Sequence, residues 1–366
     1  MSSAEVHQLS LGPLTGVAFG PDRSQVAVCP NSNEAQIYAK SGDSWELRQT
    51  LAEHDKLITA ISWASQTNRI VTCSQDRNAT IAVCSFDEEN NWWVSKHVKK
   101  PLRSTVLSID WHPNNVLLAA GAADAKAYVF SAFIKGVDSK PEPTVWGDRL
   151  PFGTICGEFS SPNGGWVHDV AFSPSGDILA YVSHDSAISI VYPSGPGAPP
   201  NAHISVRCPS LPYLSLIFTT ESQIIAAGHD CQPIVFAGDS SGWSVSHSLD
   251  DPSASGAKAL TSSTGSRSTS GGGPGRLNTE AFNLFKHADT RGSSGSGNSG
   301  ITAVGQDGML RTVHQNSITL VEPYEWTSSG EVAKVCSAGK DGRLVIWAVA
   351  GGKTSGLAGR MGGLQM

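Results

Sequence analysis

The sequence predicts an all-β chain built as a ring of small antiparallel sheets, a β-propeller. Two observations carry that prediction: an apolar pattern that returns along the chain, and a composition weighted towards turns. Charged residues make up only 16% of the 366 residues, against 38 Gly and 20 Pro. That balance suits many short strands joined by tight turns and opposes long helices or coiled coils.

The returning pattern is an alternating run ending in an aromatic residue, a polar turn, and a second apolar run. A small residue, any residue and Asp then follow. Val17-Ala18-Phe19 leads to Gln25-Val26-Ala27-Val28, and Ile61-Ser62-Trp63 leads to Arg69-Ile70-Val71-Thr72-Cys73-Ser74-Gln75-Asp76. Ile109-Asp110-Trp111 leads to Leu117 through Asp124, Val170-Ala171-Phe172 to Ile178 through Asp185, and Leu216-Ile217-Phe218 to Ile224 through Asp230. The last copy is degenerate at its start and ends Ser337-Ala338-Gly339-Lys340-Asp341-Gly342-Arg343-Leu344-Val345-Ile346-Trp347. The aromatic positions recur about every 45 residues, longer where a loop intervenes, which is the spacing of WD repeats.

Each copy reads as one small sheet. Pro174-Ser175-Gly176-Asp177 and Asp341-Gly342 close hairpins, because Gly and Asp tolerate the positive φ of tight turns. The inner runs are apolar throughout because a sheet in a ring is covered on both faces. One such sheet cannot bury its faces alone, so six copies are expected to close around an axis. An early strand, Val6-His7-Gln8-Leu9, is expected to pair into the last blade. The propeller spans 1–350, and the Gly-rich stretch 351–366 reads as a loose tail.

Within the propeller, residues 250–300 form a Ser/Gly-rich insertion. Its centre predicts a short amphipathic helix over 278–289: Asn278 caps it, Glu280 favours the first turn, and Leu277 staples Phe282. Ala281, Leu284, Phe285 and Ala288 share one face. A helix this short needs a cover, and a partner's groove is favoured over its own propeller.

Several functions are disfavoured. A net charge of −6 offers nothing to attract a polyanion, so nucleic acid is not an expected partner. Seven cysteines include no C-x-x-C pair, and Cys29 and Cys73 sit in strand patterns as buried thiols. The N-terminus shows no secretory signal, and apolar runs such as 116–120 are too short to span a bilayer, so a cytosolic protein without membrane insertion is expected. His184-Asp185 and His229-Asp230 invite a catalytic reading, but Gln75-Asp76 and Lys340-Asp341 fill the same position, so Asp alone recurs, as a turn residue. No Ser-His-Asp set, phosphate-cradling loop or metal-spaced cluster is legible, so no catalytic residue, metal or cofactor is expected.

One charged stretch stands out. Lys96, Lys99, Lys100 and Arg103 follow Trp92 and Trp93 in an otherwise acidic chain. Two readings stand: an edge strand protected by lysines, or a docking patch for an acidic peptide.

Specific phrases go beyond a generic repeat: Asn90-Asn91-Trp92-Trp93-Val94, Lys99-Lys100-Pro101-Leu102-Arg103, Trp111-His112-Pro113-Asn114-Asn115, Trp146-Gly147, Pro151-Phe152-Gly153, Trp166-Val167-His168 and His229-Asp230-Cys231. From about Val6 to Trp347 the chain resembles the WD-repeat subunit of the actin-related-protein complex that nucleates branched actin filaments. The resemblance implies a non-catalytic subunit in a seven-protein assembly, beside an actin-related protein and smaller subunits, in the cytoplasm and at cortical actin patches. It also implies a filament-binding helix, which maps onto Leu277, Phe282, Leu284, Phe285 and Lys286. A role in receiving acidic tails of nucleation-promoting factors falls on Lys96, Lys99, Lys100 and Arg103. Members of that family resemble seven-bladed propellers, whereas six repeats are counted here, with one repeat's worth of sequence absent near Ala79-Thr80. The alternative is a WD adaptor of another assembly, such as a ubiquitin-ligase substrate receptor, with the 277–288 helix as its docking element.

Overall fold

The structure, a computed structural model, describes residues 9, 14–42, 44–75, 81–98, 101–139, 141–148, 150–250, 310 and 312–349. Of the expected strand Val6–Leu9 only Leu9 is described, and the 278–289 helix, the Ala79-Thr80 junction and the 351–366 tail all lie outside the described residues.

Strands alone make up the regular structure of the described residues, in six sheets. The first holds β1 (Gly16–Phe19), β2 (Gln25–Cys29), β3 (Ala35–Ser41) and β4 (Ser44–Leu51); the second β5 (Ile58–Trp63), β6 (Arg69–Ser74), β7 (Ile81–Asp87) and β8 (Trp92–Val98). The third holds β9 (Val106–Trp111), β10 (Leu117–Ala122), β11 (Lys126–Ser131) and β12 (Ile155–Ser160); the fourth β13 (Val167–Phe172), β14 (Leu179–Ser183), β15 (Ala187–Tyr192) and β16 (Ala202–Arg207). The fifth holds β17 (Tyr213–Thr220), β18 (Gln223–Gly228), β19 (Ile234–Asp239) and β20 (Gly242–Ser248). Among the described residues the sixth has three strands, β21 (Ile318–Trp326), β22 (Val332–Gly339) and β23 (Leu344–Ala348). Every sheet is an antiparallel meander in sequence order, as a repeat joined by hairpins requires. The first strands of all six line one central channel, which is the propeller arrangement read from the repeats.

Packing follows the pattern. The inner two strands of each sheet lie on the inner strand of the next, from β1 and β2 on β5 through to β17 and β18 on β21. Small residues let the sheets approach closely: a Cβ at Gly121 would come within 2.8 Å of Val167. Five apolar cores fill these five junctions. Burying one large apolar side chain contributes about 1.5–3 kcal/mol, so the junctions carry the stability that a lone sheet lacks.

The sixth junction departs from the closed ring expected. Among the described residues no comparable packing joins β21 or β22 to β1. Val26, Val28 and Tyr38 form a half-core there with Leu9 and Trp45, all from the start of the chain. Phe19 on one wall is 52% exposed, and Leu344 on the other is 68% exposed. Consecutive sheets stay stacked because the chain links them, so any shortfall in blades collects where the two ends meet.

The recurring Asp marks a turn in each described copy. The residue after it is left-handed: Ala125, Ser186 and Cys231 have φ of 65°, 62° and 62°, and Gly342 has 75°. Six of the seven cysteines are buried and Cys336 is half-buried, all as free thiols. Burial pushes Cys29, Cys73, Cys84 and Cys156 up to about 12, which leaves them protonated.

Candidate interaction surface

The basic patch lies on the outer strand of the second sheet. At the β7–β8 turn, the Asp87 carboxylate accepts from the Glu89 and Asn90 backbone N–H groups at 3.1 and 3.2 Å and from Asn90 Nδ2 at 2.8 Å. Asn91 takes φ 56°, which asparagine tolerates better than most residues. Alternation along β8 then sorts the side chains. Trp93 turns inward against Trp63 (ring centroids 5.9 Å) and Phe86 (5.5 Å). Trp92, Val94 and Lys96 share the other face and are exposed.

Lys96 Nζ sits 5.7 Å over the Phe152 ring, on a loop of the third sheet. Arg103 is exposed, and its charge reaches Lys126 and Tyr128 on β11. Both described members of the patch therefore face the junction of the second and third sheets, while Lys99 and Lys100 lie outside the described residues. Nothing in the sequence near Lys96 marks Phe152 as its neighbour, because cation–π partners distant in sequence leave no local signal.

The two His-Asp pairs flagged in the sequence are not joined. His184 Nδ1 lies 2.9 Å from His168 Nε2, while Asp185 accepts from Asn163 Nδ2 at 2.8 Å and from Ser161 and Ser183. His229 Nδ1 meets Ser317 Oγ at 2.9 Å, while Asp230 accepts from the Leu211 N–H at 2.8 Å. Burial, with the neighbouring His184 and His229, pushes His168 down to about 4, so it is neutral at pH 7.

A Ser-His-Asp set, which the sequence did not reveal, does assemble in the sixth sheet. Asp341 Oδ1 lies 3.1 Å from His314 Nδ1, and His314 Nε2 lies 2.8 Å from Ser337 Oγ. It is enclosed by the fold: His314 and Ser337 are both 0% exposed, and Trp347 Nε1 donates to the same Ser337 oxygen at 2.7 Å. No substrate carbonyl could reach a hydroxyl so enclosed. Burial would raise Asp341, but the Gln315 N–H, His314 and the Arg343 N–H outweigh it and hold the carboxyl at about 2.

The central channel, about 790 Å³, carries the polar cluster that the sequence did not disclose. Asp110 accepts from the Phe172 N–H at 3.0 Å. Asp169 accepts from Ser108 Oγ at 2.5 Å and from the Leu216 N–H at 2.9 Å, so these two carboxylates stitch inner strands together. Burial, with Asp169 and Glu322 nearby, pushes Asp110 up to about 7; burial and Asp169 do the same to Glu322. Among the described residues no group of His, Cys, Asp and Glu is arranged to hold a metal ion, and no helix is long and apolar enough to cross a membrane.

The WD domain, G-beta repeat family matches residues 45–88, 94–131 and 153–191. Each match starts at an outer strand and ends on the third strand of the following sheet, so sequence repeats and sheets are staggered. A Schizosaccharomyces pombe protein, actin-related protein 2/3 complex subunit 1, is 41% identical over 95% of this chain and 100% of its own length. This chain belongs to the actin-related protein 2/3 complex subunit 1 family. Subunit 1A-A of Xenopus laevis is 40% identical over 93% of this chain and 95% of its own. Subunit 1 of Saccharomyces cerevisiae is 33% identical, over 95% and 98%. The alignment to the S. pombe relative runs over 396 positions but takes in about 348 residues of this chain, which is 95% of 366. About 48 positions, one repeat's length, thus have no counterpart in this member of the subunit 1 family, in keeping with six sheets.

Proposed function

We propose that this chain is a non-catalytic scaffold subunit of an actin-related protein 2/3 complex and supports nucleation and branching of actin filaments in the cytoplasm, at cortical patches. Similarity to subunit 1 proteins along almost the whole chain carries this reading. A propeller supports it, because a ring of sheets offers a rim and two faces to several neighbours at once. Its partners are then actin-related proteins and the smaller subunits of the complex.

Two finer assignments go with it. The segment bearing Leu277, Phe282, Leu284, Phe285 and Lys286 contacts the mother filament, and Lys96, Lys99, Lys100 and Arg103 receive acidic tails of nucleation-promoting factors. The second draws support from exposed Trp92 and Val94 beside Lys96, an apolar and basic strip suited to an acidic peptide with an aromatic anchor.

Affinity purification of the tagged chain from native cytosol tests the reading. Actin-related proteins should co-purify in stoichiometric amounts and survive a salt wash. A preparation dominated by ubiquitin-ligase subunits, or free of actin-related proteins, would replace it.

A further inference from the structure

Neighbouring inner strands run the same way. Ser108 Oγ accepts from the Val170 N–H at 3.3 Å and, two residues on, Asp110 accepts from the Phe172 N–H at 3.0 Å. The loops that enter these strands therefore gather at one end of the central channel. In the last three sheets the recurring Asp grips that loop. Asp185 accepts from Asn163 Nδ2 and Ser161 Oγ at 2.8 and 3.3 Å, Asp230 from the Leu211 N–H at 2.8 Å, and Asp341 from the Gln315 N–H at 2.8 Å. Each gripped loop presents one large apolar side chain to solvent: Trp166, Leu211 and Val313 are 56%, 54% and 41% exposed. The loop before β13 is set most firmly. The His184 N–H donates to the Trp166 carbonyl at 2.9 Å, and a Cβ at Gly165 would lie 2.6 Å from the Asp185 nitrogen, so glycine is what lets the loop lie so close.

Histidines join these loops into one surface. The Trp166 ring lies 6.0 Å from the His184 ring, which lies 5.1 Å from His168 at the channel wall. His229 of the next sheet neighbours His168 and meets Ser317 of the loop before β21. Among the described residues, the exposed charged side chains at this end of the three sheets are cations: Arg207, Lys340 and Arg343. The carboxylates there, Asp185, Asp230, Asp250 and Asp341, each accept from a loop, Asp250 from the Val313 N–H at 2.7 Å.

We propose that this end of the channel, across the last three sheets, docks an acidic segment of a partner protein. Apolar side chains of that segment seat against Trp166, Leu211 and Val313, and its carboxylates lie near Arg207, Lys340 and Arg343. Anchors already held by their loops lose little freedom on binding, so more of each contact survives as affinity. Single anchors on separate loops suit a peptide threading among them, whereas a bilayer surface is met by a continuous apolar face.

A phage-displayed library of random dodecapeptides, selected on the full chain, tests this. The enriched sequences should combine Asp or Glu with aromatic or aliphatic residues. By fluorescence anisotropy, Trp166→Ser and Leu211→Ser should each weaken such a peptide about tenfold. Arg207→Glu should weaken it too, with the difference shrinking as salt is added. Leu47→Ser, as exposed a change on the first sheet, should leave the affinity unchanged. Thermal melts check that each variant folds, and Leu211→Ser decides if Trp166→Ser does not. Basic or featureless peptides, no enrichment, or equal binding by wild type and both serine variants would overturn the proposal. So would sedimentation with phosphatidylserine vesicles that Trp166→Ser abolishes, which would assign the face to a membrane.

Discussion

Arg69 of β6 and Asp138 of the loop after β11 form an ion pair at 2.9 Å, with side chains 2% and 6% exposed. It pins the second sheet to the third. Arg69 Nη1 also donates to the Asn115 carbonyl at 3.2 Å, Nη2 donates to the Ala132 carbonyl, and the guanidinium lies 4.9 Å over the Trp111 ring. Asp138 in turn accepts from the Ile134 N–H at 2.6 Å.

Removing one partner strands the other charge in the interior, so Asp138→Ala should cost about 3–5 kcal/mol in urea unfolding. The double change Arg69→Met with Asp138→Leu should recover most of that loss, because replacing both charges removes the desolvation penalty as well as the bond. A double variant no more stable than Asp138→Ala would contradict this account.

Ser337 satisfies His314 and Trp347 at once. Ser337→Ala should therefore cost about 2–4 kcal/mol, as two buried ring nitrogens lose their partner. Fluorophosphonate should leave Ser337 of the folded protein unlabelled; labelling would reopen a hydrolytic role for the set.

Gly176 has φ 82°, and a Cβ there would lie 2.0 Å from His112 Nε2, the nitrogen placed 3.1 Å from the Gly176 carbonyl. Gly176→Ala should lower stability by about 3 kcal/mol through overpacking and backbone strain. Ser186, left-handed at φ 62°, is the converse case. Ser186→Gly should be neutral or stabilising, by up to about 1 kcal/mol, since relief of strain opposes the entropy added to the unfolded chain. Thermal melts of both variants check the pair of signs.

Asp110 and Glu322 each bind protons more tightly when folded, at about 7 against their usual carboxylate range. Between roughly pH 4 and 7 the folded state holds more protons at these groups, so their contribution to stability falls as pH rises through that window. Asp341, held at about 2, acts oppositely: its contribution is present above about pH 4 and lost as pH falls towards 2. Asp110→Asn keeps an acceptor for the Phe172 N–H and should raise the melting temperature more at pH 8 than at pH 5. An equal shift at both values would rule out the titration.

For the proposed partners, Phe282→Asp with Phe285→Asp should leave the propeller folded and weaken branching on filaments. Reversing Lys96, Lys99 and Lys100 to Glu should reduce acidic-tail affinity, with the difference shrinking as salt is added. Wild-type branching by the first variant, or unchanged tail binding by the second, would retire the corresponding assignment.

The sequence by itself determined the all-β class, the six copies and the turn role of the recurring Asp. Each of these is local: an alternating run makes a strand, and an Asp before a left-handed residue makes a turn, wherever the chain later goes. It also carried the family resemblance, since phrases such as Trp111-His112-Pro113 need no coordinates to be read. Only the tertiary structure decided which residues meet. Arg69 with Asp138, Lys96 with Phe152, His314 with Ser337 and the channel carboxylates with the next sheet's backbone are pairs far apart in sequence, joined by the order in which sheets stack. The unpacked junction is of the same kind. A count of repeats says how many sheets there are, but the angle between packed sheets decides whether the first meets the last.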